Sequence, residues 1–284
     1  MPHDKRRAIL ITGCSSGIGH ACAHGLARRG YVVVASARRA EQVARLRAEG
    51  LHAVRLDLDD SASIASGLEA ALALTDGRLD ALFNNGAYGQ PGAVEDLSRA
   101  ALRAQLETNL LGWHELTCRV LPLMRAQGHG RIVNNSSVLG LVTLPYRGAY
   151  VASKFALEGL TDTLRLELAG SGIHVVLIEP GPILSRFRDN AHAAYRRWIA
   201  VEHSPHRAIY QRLEARLTRA GAVQPFTLGP EAVLHKLIRA LESPRPKPRY
   251  YVTVPTYLLA AARRALPTRA LDAVLRAVAR GGAG

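Results

Sequence analysis

The run Ala8-Ile-Leu-Ile-Thr-Gly-Cys-Ser-Ser-Gly-Ile-Gly19 decides the fold. Ala8 to Thr12 is an apolar run without polar alternation, the pattern of a strand covered on both faces. Glycines at 13, 17 and 19 then fall in the turn that leads the strand into a helix over Gly17 to Arg29. Without side chains they let the backbone approach a pyrophosphate, whose charge is favoured by the free N–H groups and dipole of a helix N-terminus. Gly13, Ser15, Ser16, Gly17, Ile18 and Gly19 are therefore candidate cofactor-binding residues. The spacing is G-x-x-x-G-x-G, not the generic G-x-G-x-x-G of dinucleotide-binding turns.

Outward from this turn the same alternation repeats. Strand-like runs occupy Tyr31 to Ser36, His52 to Leu56, Asp80 to Asn84, Arg131 to Asn135, His174 to Glu179 and, after a stiff proline-rich turn, Tyr250 to Val254. Helical patterns fill the gaps at Ala40 to Glu49, Ser61 to Leu74, Ala101 to Arg125 and Ala149 to Ala169. Strand-helix alternation of this kind forces parallel pairing with right-handed crossovers, so the expected fold is an α/β, doubly wound, Rossmann-type sheet of seven strands, mainly parallel. In such sheets ligands bind beyond the carboxyl ends of the strands. No linker or internal repeat divides residues 1–284, which read as one domain. An Arg- and His-rich helical segment at about 185–228 is expected to cover the substrate, and a basic amphipathic tail runs from about 255 to 284.

Composition narrows the function classes. Apolar residues make up 48% of the chain and charged ones 21%, enough for a full core and unlike a disordered chain. The aromatic content of 5% and the absence of a recognition motif argue against a nucleic-acid binder. Cys14, Cys22 and Cys118 form neither a metal spacing nor an even disulfide set, which suits a reducing, cytoplasmic compartment. Neither a secretory leader nor a membrane-spanning run is evident. The eleven histidines, including His129, His203 and His206, form no metal spacing with partner acids, so no metal is expected. The net charge is +14, with eight Lys or Arg residues against Asp272 alone between Ser243 and Gly284. That tail is either a peripheral contact for an anionic membrane surface or a solvated Arg-rich face.

Tyr150-Val-Ala-Ser-Lys154 opens the helix after the fifth strand. Residues four apart share a helical face, so the phenol and the ammonium project into one space. A tyrosine with its ordinary pKa of about 10 is a poor base at neutral pH, and a nearby cation favours its ionised form. Ser137 lies thirteen residues upstream at the end of a strand.

Together with Thr12-Gly-Cys-Ser-Ser-Gly-Ile-Gly19, these residues resemble the short-chain dehydrogenase/reductase family and its T-G-x-x-x-G-I-G signature. The stretch Tyr150 to Leu160 looks like the branch with 17-beta-hydroxysteroid and retinol dehydrogenases. The resemblance is dense over residues 8 to 185. It implies hydride exchange between a nicotinamide and a carbonyl or alcohol carbon, with a catalytic tetrad of Asn109, Ser137, Tyr150 and Lys154. Tyr150 would move the proton, Ser137 hold the substrate oxygen, Lys154 lower the Tyr150 pKa and bind ribose hydroxyls, and Asn109 hold a water on Lys154. It further implies cofactor contacts from Asp57 and Leu58, from Asn84, and from Pro180, Gly181, Ile183 and Ser185. The family order N-N-A-G appears here as Asn84-Asn85-Gly86-Ala87, so the residue that takes any special backbone conformation is open.

An acid near the end of the second strand marks NAD; at that place this chain has Ala37, followed by Arg38 and Arg39. Two guanidinium groups suit a 2′-phosphate, so NADP(H) is expected over NAD(H). Phe187, Tyr195, Trp198 and Ile199 in the covering segment suggest an apolar, steroid-, retinoid- or lipid-like small-molecule substrate. The family implies a homodimer or homotetramer through the two long helices. The alternative reading is a cofactor-binding regulatory or scaffold protein; such proteins typically lose the tyrosine or lysine that this chain keeps.

Overall fold

The computed structural model describes residues 6–219, 221 and 225–281, so parts of the 185–228 and 255–284 segments and the first five residues lie outside the described residues. Seven strands form one sheet: β1 (Ala8–Ile11), β2 (Val32–Ala37), β3 (His52–Arg55), β4 (Ala81–Asn84), β5 (Gly130–Asn135), β6 (Ile173–Glu179) and β7 (Arg249–Tyr251). Their order is β3-β2-β1-β4-β5-β6-β7 and every neighbouring pair is parallel, so the expected doubly wound architecture holds. The winding reverses between β1 and β4, both of which end under the glycine turn.

Successive strand residues feed opposite layers, as the pleat requires. Ile9 and Ile11 join Val33, Ala35 and Val133 on one face. There they meet Cys22 and Leu26 of α1 (Gly17–Arg28), Leu46 of α2 (Ala40–Ala48) and Leu237 of α9 (Glu231–Glu242). Leu10, Val34, Leu82 and Ile132 face the other way, onto Ile64 of α3 (Ser61–Ala73), Trp113, Leu116 and Val120 of α5 (Gly112–Gln127) and Leu157 of α6 (Gly148–Glu167). Each such fully buried aliphatic side chain contributes about 1.5–3 kcal/mol.

The long helix expected from Ala101 to Arg125 is α4 (Arg99–Leu106) running into α5 through a wide, π-type turn at Glu107–Leu111. Extra residues of this kind inside a helix mark functional sites, and Asn109 sits in this one. The segment after β6 breaks into α7 (Phe187–Trp198) and α8 (Arg207–Thr218), because Ser204-Pro205 interrupts the helical pattern. Both ends of this excursion are tied together: Ile183 bridges Leu228, Leu184 N–H donates to the Leu228 carbonyl at 2.9 Å, and Leu228 N–H returns to the Pro182 carbonyl at 3.2 Å.

The basic tail divides at Pro267 into α10 (Val254–Ala265) and α11 (Thr268–Gly281). Leu271 and Leu275 turn inward onto Val142 and Leu259. No described helix is long and apolar enough to cross a membrane.

Candidate active site

The glycine turn closes on the end of β4. Gly13 has φ +70°, and a Cβ there would lie 2.5 Å from Gly86 Cα. Gly19 is helical, but a Cβ on it would meet the Gly13 carbonyl at 2.3 Å, so it serves the turn from behind. Thr12 Oγ1 accepts from Asn85 N–H at 2.8 Å and Gly86 N–H at 2.9 Å, locking the two strand ends together. None of residues 84–87 has a positive φ. Gly86 is needed because Gly13 and Leu58 crowd it, not for its backbone conformation.

A cavity of about 690 Å³ begins at this turn and runs to α8 and α11. Gly13, Ser15, Ser16, Gly17, Ile18, Ser137, Tyr150, Lys154, Pro180, Gly181, Ile183 and Ser185 all line it. Gly19, Arg38, Arg39, Asp57, Leu58, Asn84 and Asn109 do not. Asn84 is turned into the interior, where its Nδ2 donates to Thr117 Oγ1 at 3.1 Å and Asn134 Oδ1 at 2.9 Å. Asn85, its neighbour, lines the cavity instead. Asp57 and Leu58 cap β3: Asp57 N–H donates to Ser63 Oγ, and Leu58 packs against Gly86 and Gly112. Arg38 and Arg39 are exposed beyond the end of β2, with Arg39 3.9 Å from Glu41.

At the cavity floor, Tyr150 and Lys154 share the first turns of α6. Burial pushes the Tyr150 phenol up to about 12, against the pull of a hydrogen bond with Ser137 and the charge of Arg147. Ser137 Oγ also accepts from Leu139 N–H at 3.1 Å, which fixes its side chain. Ser136, the neighbouring serine, also lines the cavity and lies beside Glu158, whose carboxyl burial pushes up against the opposing pull of Ser136. Lys154 is 1% exposed, donates to the Asn135 carbonyl at 2.9 Å, and places its nitrogen 4.3 Å from the centre of the Trp113 ring. Trp113 is itself held by an Nε1 donation to the Gly86 carbonyl at 2.8 Å. Burial lowers Lys154 to about 7. Lys154 Nζ also lies 5.7 Å from the centre of the Tyr150 ring, and the charge of Arg147, one turn earlier, acts on the same phenol.

Asn109 is fully buried and binds the Tyr88 backbone from both sides, accepting from its N–H at 3.1 Å and donating to its carbonyl at 2.9 Å. It also donates to Ser153 Oγ at 3.2 Å. Its structural action in the described residues is to hold the loop after β4 against α6.

Of the four apolar residues expected over the substrate, Phe187 lines the cavity and meets the Tyr150 ring edge-on at 5.4 Å between centroids. Tyr195 and Ile199 are spent on the core of the covering segment, with Tyr210 and Leu213, and Trp198 does not line the cavity. Arg147, Arg212 and Arg216 do line it; sequence reasoning missed them because surface arginines are abundant in this chain. Glu158 is buried and bonded to Arg249, which also reaches Glu179 at 2.6 Å. His20 and His24, one helical turn apart, both meet Glu49, at 2.7 and 2.9 Å. Cys14 is fully buried, and its thiol is pushed up to about 12.

Lys154 gives the site a pH signature. Its folded pKa is lowered from 10.5 to about 7, so between those values the unfolded chain holds a proton that the folded chain lacks. Its contribution to stability therefore rises with pH across that window. Denaturation of wild type and Lys154→Met at pH 7.5 and 9.5 is expected to show the larger gain with pH in wild type. An equal gain would remove Lys154 as its source.

A parallel doubly wound sheet, a glycine turn at its winding reversal, and a Ser-Tyr-Lys set at the adjoining strand ends define a nucleotide-binding oxidoreductase. The chain belongs to the short-chain dehydrogenase family, whose pattern matches residues 7–196. It is 42% identical to the uncharacterized oxidoreductase YbbO of Escherichia coli (strain K12), over 95% of this chain and 94% of that one. Human 17-beta-hydroxysteroid dehydrogenase type 1 is 34% identical over 87% of this chain and 78% of its own length. Among solved structures, a short-chain dehydrogenase/reductase from Burkholderia phymatum in complex with NAD superposes with a TM-score of 0.77 at 29% identity, covering 97% of each chain.

Proposed function

We propose that the protein interconverts a carbonyl and an alcohol with NADP(H), using Tyr150 as general acid/base. The observation that carries this reading is the meeting of the Tyr150 phenol, the Ser137 hydroxyl and the buried Lys154 ammonium in one cavity that begins at the glycine turn. The cavity suits a dinucleotide. A Cβ at Gly17 would strike Ser185 Cβ at 2.9 Å, so only a bare backbone leaves room between the turn and the segment after β6. Ser15, Ser16 and the N-terminus of α1 would hold the pyrophosphate, Lys154 the nicotinamide ribose, and Ile183 and Ser185 the nicotinamide edge.

When bound, the nicotinamide supplies or accepts the hydride. Ser137 donates a hydrogen bond to the substrate oxygen as charge develops on it. Tyr150 gives that oxygen its proton in reduction and removes it in oxidation. Burial keeps the phenol protonated, the form that reduction needs. Phe187 and the apolar wall formed by Leu139, Leu144 and Leu213 exclude water from the exchange.

The preference for NADP(H) rests on the two exposed guanidinium groups after β2 and on the lack of an acid at its end. Replacing Arg38 and Arg39 together by Ala is expected to weaken NADPH about tenfold or more, with NADH nearly unchanged. The ratio of kcat/KM for the two cofactors with one aldehyde checks this. An unchanged ratio would move the preference elsewhere.

We read α7 and α8 as the substrate cover and the tail as a wall of the cavity rather than a membrane anchor. Leu271 and Leu275 are spent on the protein, and Arg276 and Arg280 line the cavity. Leu111, Phe155 and Leu160 stay exposed on the two long helices and support a homodimer or homotetramer through them.

A further inference from the structure

One stretch of the cavity wall, beside Tyr150 and along α8, is cationic. Arg147, Arg212 and Arg216 line it, and among the described residues no Asp or Glu does. No acid pairs with any of the three among the described residues, whereas their neighbour Arg188 is satisfied by the Arg219 and Gly221 carbonyls. Arg147 and Arg216 are partly buried, and each lies in the other's field or in that of Arg188. Gathering like charges out of water is costly unless an anion joins them. Burial and these neighbours lower Arg147 to about 10 and lower Arg216 as well. Arg212 and Arg216 are four residues apart on α8 and so share one face. Leu139, Leu144, Ile209, Leu213 and Leu217 line the same cavity.

We propose that the substrate is an anionic amphiphile: a carbonyl or alcohol carbon on an apolar skeleton that also carries a carboxylate or phosphate held by Arg147 and Arg216. This rests on the oxidoreductase reading above and narrows its substrate class. The cofactor's own phosphates do not account for the cluster. Their cradle is the Gly13–Gly19 turn, whereas Arg147 caps α6 beside Tyr150. The guanidinium fork matches either anion with paired, charge-assisted hydrogen bonds.

The test uses oxodecanoates in which the keto group is walked along the chain, each compared with its methyl ester. For at least one position kcat/KM is expected to favour the acid by about tenfold or more. In Arg147→Met and Arg216→Met that ratio falls towards one. Because it is an internal ratio, a general loss of activity in a variant cancels. A ratio near one in wild type, or one unchanged in both variants, overturns the proposal. Turnover is not the only readout. Calorimetry of decanoate and decyl phosphate against decanol, with and without NADPH, is expected to show salt-sensitive binding of at least one anion that both variants lose. The tighter arm identifies the anion. Anion binding without turnover of any carbonyl would leave this site in place and sink the oxidoreductase reading. Turnover of neutral carbonyls with equal binding of decanol and both anions would do the reverse.

Discussion

Replacing Tyr150 with Phe is expected to lower kcat/KM for carbonyl reduction by about 10²–10⁴-fold, the usual worth of a positioned general acid. The ring would still meet Phe187 edge-on and still fill the floor of the cavity, so packing and NADPH affinity should change little. What disappears is one hydroxyl with a defined partner in Ser137 and a cation, Arg147, in its field. The loss should appear in kcat as well as in kcat/KM, because the proton moves in the transition state and contributes little to ground-state binding. Stopped-flow oxidation of NADPH with a responsive aldehyde measures the step directly. If Tyr150→Phe retained wild-type turnover, the proton would have to come from another group, and the assignment of Tyr150 would fail.

The second large effect concerns stability. Arg249 opens β7 and binds Glu158 on α6, Glu179 at the end of β6, and Asp162. Glu179 is fully buried, and burial together with neighbouring Glu158 raises its pKa to about 8. Arg249→Leu would leave two buried carboxyls facing each other without their cation. Breaking a buried pair in this way costs about 3–5 kcal/mol, equivalent to a fall in Tm of about 10 °C for a domain of this size. Adding Glu179→Gln to that variant should recover part of the loss, because one of the stranded acids is gone. Urea titrations of the three proteins measure both changes. A loss below about 1 kcal/mol would show that water reaches the cluster and screens it. The cluster bears on activity because Glu158 and Asp162 lie one and two helical turns beyond Lys154, and Glu179 directly precedes Pro180 and Gly181 at the cavity.

The sheet and the glycine turn were legible because each rests on local information. Apolar runs such as Ala8 to Ile11 read directly as buried parallel strands, and a glycine with φ +70° leaves its mark on the sequence. Ser137, Tyr150 and Lys154 were legible through their spacing. What sequence could not show was direction. Asn84 and Asn85 are equivalent as letters, yet strand alternation sends the first inward to Asn134 and leaves the second at the cavity. Tyr195 and Ile199 looked like substrate contacts by composition, but α7 and α8 needed a core of their own and took them for it. Arg147 and Arg216 were hidden among 37 Lys and Arg residues, and only their convergence from α6 and α8 distinguishes them. The burial of Glu158 is hidden for a related reason: its partner Arg249 lies 91 positions away.

The paired ends of the excursion from Ile183 to Leu228 have a consequence for how such a chain diversifies. Since the chain leaves the scaffold and rejoins it at adjacent points, everything between is a cassette. Its length can change at little entropic cost, because closure entropy grows only with the logarithm of loop length. The strands, the glycine turn, Ser137, Tyr150 and Lys154 lie outside it, whereas Phe187, Arg212 and Arg216 lie within. Exchange of this one segment would therefore set a different clientele of molecules before the same Ser137, Tyr150 and Lys154.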